Sequence, residues 1–245
     1  MKLYGLIGFP LAHSFSKKYF DRKFESEGIA GCNFENFELQ SINEVQTMLH
    51  NNPSLQGFAI TIPYKKLILP FLSQVTDDVK AMQACNCVKI ANGKLFGYNT
   101  DTIGFEQSLK KHLLPHHSKA LILGSGGAAN AVEFVLKKLG IDFITVSRNK
   151  SNQNNVVSYD DLNKTIISQH TLIINATPLG TYPKVEEFPV LPYEFLTSNH
   201  YLFDLVYNPE KTKFLEKGEA QGATIQNGYD MLTIQAEKNW KIWNE

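Results

Sequence analysis

From Lys119 to Leu139 an apolar run, a glycine-rich turn and an amphipathic segment follow one another without a break. ALILG (120–124) has the character of a buried strand. Gly124-Ser125-Gly126-Gly127-Ala128-Ala129 follows at once, and Val132, Val135, Leu136 and Leu139 then recur at helical core spacing. A strand that runs through glycines into a helix is the context that gives a GxGxxA pattern its meaning, because it builds the dinucleotide-binding turn of a parallel α/β sheet. Gly124 suits the tight turn, Gly126 lets a pyrophosphate approach the backbone, and Ala129 takes the small position where helix packs on strand. The helix N-terminus offers its N–H groups to the anion. The competing reading is a tight turn with no ligand.

The rest of the chain repeats this alternation. Strand-like runs at 3–8, 33–39, 57–61, 143–147, 171–175 and 201–206 are separated by helical segments, which predicts an α/β fold with mainly parallel sheets. Between Cys85 and Tyr98 the pattern becomes a hairpin of short strands around Asn92-Gly93, a pair that tolerates the positive φ of a type I′ turn. A helix over 102–114 then leads through Pro115 into the glycine-loop strand, so a domain boundary is expected there. Residues 1–101 form a first lobe, 102–227 a Rossmann-type second domain, and a final helix over 228–244 returns to the first, giving 1–101 plus 228–245 and a cleft between the two domains.

With 43% hydrophobic residues the chain can bury a substantial core, and 24 basic against 24 acidic residues leave no excess charge to draw it to nucleic acid or an anionic membrane. No apolar stretch approaches the roughly 20 residues that span a bilayer, and the N-terminus reads as a strand and loop. A cytoplasmic protein with a small-molecule partner is expected, as a monomer or homodimer. Cys85-x-Cys87 lacks a second ligand pair and predicts no metal; His112, His116 and His117 flank Pro115 and read as a solvated connection.

The strand at 143–147 ends in Ser147-Arg148-Asn149-Lys150, where an NAD-binding protein presents an acid to the ribose hydroxyl. A basic end favours a 2′-phosphate, hence NADP(H), unless Arg148 is merely solvated. In the first lobe, Ser14 and Ser16 follow strand 1 ahead of a helix over 17–27, where two hydroxyls can hold a carboxylate or Ser16 can act as N-cap. Thr61-Ile-Pro63-Tyr-Lys65 starts a helix at Pro63, which puts Lys65 in its first turn against the helix dipole and points to a functional ammonium over a solvated one. Asp101 opens the connecting helix, as N-cap or as a partner for Lys65; a Lys/Asp pair can supply and orient a proton for carbonyl reduction.

The motifs stand in an order that resembles the shikimate dehydrogenase family: Gly8-x-Pro10 with His13-Ser14-x-Ser16, Gly57-x-x-x-Thr61-x-Pro63-x-Lys65, Ala84-x-Asn86, Gly97-x-Asn99-Thr100-Asp101-x-x-Gly104, Gly124-x-Gly126-Gly127-Ala128, Asn175-Ala176-Thr177-Pro178-x-Gly180, Asp204-x-x-Tyr207-Asn208-Pro209, and Asn227-Gly228-x-x-Met231-Leu232-x-x-Gln235-Ala236. The resemblance implies reversible reduction of 3-dehydroshikimate by NADPH, with Lys65 and Asp101 as the catalytic pair. It implies that Ser14 and Ser16 bind the substrate carboxylate, that Thr61, Asn86 and Gln235 hold its hydroxyls and carboxylate, and that Tyr207 lies at the substrate and nicotinamide. Gly124, Gly126, Gly127, Ala128, Ser147, Arg148, Asn149, Thr177 and Gly228 are implied on the cofactor side. The chain departs from the family pattern at Ala59, usually Asn, and at Lys17, usually Pro.

Three rival readings have features against them. A quinate/shikimate-type enzyme using NAD conflicts with the basic strand end at Arg148 and Lys150. A non-catalytic binding protein has no need of Lys65 and Asp101. A relative of methylenetetrahydrofolate dehydrogenase would not carry the Ser14/Ser16 and Asn99-Thr100-Asp101 blocks.

Overall fold

The computed structural model describes residues 1–11, 14–148 and 155–245. The chain divides into two compact units, Met1–Thr100 with Gln235–Glu245, and Asp101–Ile234.

The first unit is a sheet covered on both faces. Its strands are β1 (Lys2–Gly8), β2 (Cys32–Glu38), β3 (Leu55–Ile60), β4 (Gln74–Val75), β5 (Cys87–Ala91) and β6 (Lys94–Tyr98), and its helices are α1 (Phe15–Ser26), α2 (Val45–Asn51), α3 (Tyr64–Leu67) and α4 (Asp77–Met82). The spatial order is β2-β1-β3-β5-β6-β4, with β1 parallel to both β2 and β3 and the β5–β6 hairpin antiparallel. Asn92 and Gly93 both take positive φ, as a type I′ turn requires. Alternate residues of β1 feed opposite cores. Ile7 packs with Val45, Phe58 and Ile68 on one face, while Tyr4 and Leu6 join Phe20, Phe34 and Trp243 on the other.

The second unit contains α5 (Asp101–Leu109), β7 (Lys119–Leu123), α6 (Gly127–Lys138), β8 (Asp142–Ser147), β9 (Val156–Ser158), α7 (Lys164–Gln169), β10 (Leu172–Asn175), β11 (Tyr201–Asp204), α8 (Lys213–Glu219), β12 (Thr224–Gln226) and the start of α9 (Tyr229–Asn244). Among the described residues every strand pairing is parallel, in the order β12-β11-β10-β7-β8-β9. This is the doubly wound arrangement, in which the chain reverses direction between its first and fourth strands and leaves a crevice beyond their carboxyl ends. Leu172 and Ile174 face one core with Val132 and Phe203, and Ile173 faces the other with Phe214 and Leu215.

The division within α9 falls at Gln235, later than the residue 228 expected from the sequence, because Met231 still packs on the core of the second unit. α5 ends at Leu109, not 114, where Lys111 and His112 bond back three residues in a tight turn. The histidine stretch is not a solvated connection throughout. His117 is buried, its Nδ1 accepts the Leu114 N–H at 3.0 Å, and its ring lies against Tyr201. Burial, with His116 alongside, holds its pKa below the usual histidine value. Among the described residues no helix is long and apolar enough to cross a membrane.

Candidate active site

In the first unit the chain reverses direction between β1 and β3, and the loops leaving those strands carry the expected substrate residues. The Thr61 N–H donates to the Ile7 carbonyl at 3.0 Å and the Phe9 N–H to Ile62 at 3.1 Å, which joins the two strand exits. Asn86 is pinned to the same place, since its carbonyl accepts the Ile60 N–H at 2.8 Å. The Lys65 carbonyl accepts the Cys85 N–H at 2.8 Å, which ties α3 to the Asn86 loop. Thr61, Lys65 and Asn86 are thus brought together by backbone bonds between loops far apart in sequence. The helix at Lys65 begins at Tyr64, with Pro63 as its N-cap and not its first residue.

Ser14 is the N-cap of α1, which starts at Phe15, so Ser16 sits inside the helix and the N-cap reading of Ser16 fails. The Ser14 side chain makes no capping bond, and its Oγ is buried with no hydrogen-bond partner among the described residues. An unsatisfied buried hydroxyl is costly, and a carboxylate at the head of α1 would satisfy it while meeting the helix dipole favourably. Lys17 bonds the Phe34 carbonyl at 2.6 Å and lies 3.5 Å from Asp21 and from Glu35, so it fastens α1 to β2. Ala59 is buried in the aromatic cluster of Tyr4, Phe20 and Trp243, where an amide would have to be desolvated.

Asn86 and Gln235 are ends of one relay of neutral groups. Asn86 Nδ2 donates to Thr100 Oγ1 at 3.1 Å, the Thr100 hydroxyl donates to Asn239 Oδ1 at 2.7 Å, and Asn239 Nδ2 donates to Gln235 Oε1 at 3.2 Å. The Thr100 N–H donates to Asn86 Oδ1 at 2.7 Å. All four residues are buried, so each amide has its orientation set by its neighbour. Asn239 escaped the sequence reading because nothing near it in sequence marks a polar residue on the buried face of a helix.

In the second unit a cavity of about 430 Å³ lies at the reversal point between β7 and β10. Gly124, Ser125 and Gly126 line it with Val146, Ser147, Arg148, Tyr159 and the turn 176–179. Gly124 has φ +99° and a Cβ there would stand 2.8 Å from Thr177 Cγ2, so both backbone and space demand glycine. A Cβ on Gly126 or Gly127 would meet no atom within 4 Å, which leaves the outer side of the loop at the head of α6 open to a ligand backbone. Ala129 is buried against the sheet, as the fingerprint requires, while Ala128 is exposed in the first turn of α6. Arg148 is exposed at the rim, and no acid ends β8 among the described residues. His13, Asn149 and Lys150 lie outside the described residues.

Tyr159 was not foreseen. It stands on a short turn after β9 in a segment without periodicity, and burial raises its hydroxyl pKa while the nearby Arg148 charge opposes the rise. Thr177 lies on the cavity wall, its hydroxyl donating to Asn175 Oδ1 at 2.6 Å. Tyr207 follows β11 half-buried, and burial raises its hydroxyl pKa. Gly228 is required by packing, since a Cβ would stand 2.2 Å from the Leu205 carbonyl oxygen. Asp101 is the first residue of α5, inside the helix instead of at its N-cap, where its charge suits the dipole.

The family model for the shikimate dehydrogenase substrate-binding domain matches residues 6–88. The NADP(+) shikimate dehydrogenase of Methanococcus maripaludis is 35% identical over 258 aligned residues, covering 99% of this chain and 91% of that protein. The crystal structure of shikimate dehydrogenase from Aquifex aeolicus superposes with a TM-score of 0.86 at 32% identity, over 100% of this chain and 92% of the other. That of the Thermus thermophilus shikimate 5-dehydrogenase, in complex with NADP(H) and shikimate, has a TM-score of 0.84 at 29% identity, over 99% and 93%.

Proposed function

The chain belongs to the shikimate dehydrogenase family, and from that premise we propose that it interconverts shikimate and 3-dehydroshikimate with NADP(H), a reaction of aromatic amino acid biosynthesis carried out in the cytoplasm. The observation that carries the substrate assignment is the buried Ser14 hydroxyl at the exit of β1, which has no partner among the described residues. A ring carboxylate supplies an acceptor that the described residues do not provide there.

NADPH held at the glycine loop would supply a hydride to the ring ketone carbon, and a proton must then reach the ketone oxygen for atoms and charge to balance. Lys65, with Asp101, takes that proton role. Ser14 and Ser16 anchor the carboxylate, and Thr61, Asn86 and Gln235 fix the hydroxyls, so that the reacting carbon is held in one orientation before chemistry. Tyr207 adds a substrate contact. The open Gly124–Ala128 loop takes the pyrophosphate, Thr177 and Gly228 flank the cofactor, and Arg148 with Ser147 and Asn149 takes the 2′-phosphate.

Initial rates at the nicotinamide absorbance band test this with shikimate or quinate crossed against NADP⁺ or NAD⁺. The expected result is turnover highest with shikimate and NADP⁺, with the NADP⁺ preference reduced by Arg148→Ala. Turnover with quinate and NAD⁺ alone would replace the substrate and cofactor assignment.

A further inference from the structure

The cavity turn in the second unit is held by a charged group that does not itself line the cavity. Asp204 ends β11 in register with Asn175 at the end of β10, and both are fully buried. Its Oδ1 accepts Asn175 Nδ2 at 2.9 Å and the Val206 N–H at 3.0 Å, and its Oδ2 accepts the Thr212 hydroxyl at 2.5 Å. Asn175 turns its carbonyl the other way, where Oδ1 accepts the Thr177 N–H at 3.0 Å and the Thr177 hydroxyl at 2.6 Å. Thr177 Oγ1 in turn accepts the Leu179 N–H at 3.3 Å. Residues 176–179 form one wall of the cavity, and Thr177 Cγ2 sits against Gly124 on the opposite strand exit.

An ionised carboxylate can only accept, so it admits only the NH₂ side of the Asn175 amide and forces the carbonyl toward Thr177. The Thr177 N–H, which can only donate, demands the same orientation from the other side. We propose that Asp204 is a positioning residue for the dinucleotide: through Asn175 it fixes Thr177 and the turn that walls the cofactor cavity. The carboxylate is kept in a fully buried place for which an apolar residue would otherwise serve. Burial pushes its pKa up to about 6, against the lowering effect of Thr212, Val206 and Asn175. Of its titratable neighbours, Tyr193 has its hydroxyl pKa raised by burial and by Asp204, and Lys213, beside Thr212 on α8, is paired with Glu216 at 2.9 Å. At neutral pH Asp204 is therefore ionised and acceptor-only.

The proposal rests on the cavity taking NADP(H), and calorimetric titration of the whole chain with NADP⁺ separates the two ideas. Wild-type protein that does not bind NADP⁺ removes the cofactor reading itself. Given binding, Asp204→Ala and Thr177→Val are each expected to weaken it about tenfold, and the double variant by no more than about twofold beyond the weaker single variant, because both act through one contact. Asp204→Asn should recover most of the affinity, since the Val206 N–H keeps an oxygen facing Asn175. Should Asp204→Ala not fold, Asn175→Ala breaks the same relay one link nearer the cavity and is expected to show the same coupling to Thr177→Val. Wild-type affinity in Asp204→Ala, or losses that simply multiply in the double variant, would overturn the positioning role and leave Asp204 as a structural group.

Discussion

Both units hold an amide side chain in one orientation beside a proposed ligand site, and they do it with different electrostatics. In the first unit the relay runs Asn86, Thr100, Asn239, Gln235, with no charged member. In the second it runs from the Asp204 carboxylate through Asn175 to Thr177. A neutral relay keeps its geometry at any pH the protein survives, but each link is a modest bond that depends on the next. A carboxylate makes stronger bonds and admits only one amide orientation, yet it brings a titratable group into the core. The unit proposed to hold an uncharged ring hydroxyl can use the first kind. The unit whose proposed ligand would approach through bare backbone needs a wall that does not shift, and has the second.

The largest expected effect lies outside both relays. Lys65→Ala removes the proposed proton donor and should lower kcat by about a hundred- to ten-thousandfold, with NADP⁺ affinity measured by calorimetry unchanged. A matching loss of cofactor affinity would mean that the variant disturbs the second unit and that holding and reacting are not separate.

Next comes the pH dependence of stability, which belongs to one relay alone. The Asp204 pKa is raised in the fold to about 6 from an ordinary 3.8. Between those values the folded protein binds a proton that the unfolded chain does not. Its contribution to stability therefore falls as pH rises from about 4 to about 6 and is level above that, by about 3 kcal/mol in all. Denaturant titrations of wild type and Asp204→Asn across this window should show that slope in their difference. A flat difference would break the contrast between the relays.

The smallest effect belongs to the neutral relay. Asn239→Leu interrupts the neutral relay and should raise the shikimate KM about tenfold, by the same factor at pH 6 and pH 8, with NADP⁺ affinity untouched. A pH-dependent factor would show a titrating group in that network.

The sequence made the longer strands, the hairpin and the glycine loop legible, because long apolar runs and glycine turns obey strong local rules. Asn92-Gly93 and Gly124 adopt the positive φ that their positions required. Strands β4, β9 and β12, of two or three residues, are too short for a periodic pattern and were not foreseen. The relays were hidden for a different reason. Thr100 and Asn239 are 139 residues apart, and a polar residue on a helix announces its partner only once the chain has folded. Asp204 was visible within its motif as Asp204-x-x-Tyr207, but its link to Asn175 depends on β10 and β11 lying side by side in register. His117 was misread because Pro and polar neighbours signal a loop, while the Asn199 carbonyl and Tyr201 that bury it come from elsewhere.

The most direct test of shikimate oxidation by this chain is to incubate the protein with NADP⁺ and shikimate deuterated at the carbinol carbon to be oxidised, and to weigh the reduced nicotinamide by mass spectrometry. Wild-type protein is expected to carry one deuterium into NADPH, and Lys65→Ala to form almost none. Binding of both ligands without any reduced cofactor would contradict this expectation and make the chain a binding protein on a dehydrogenase scaffold.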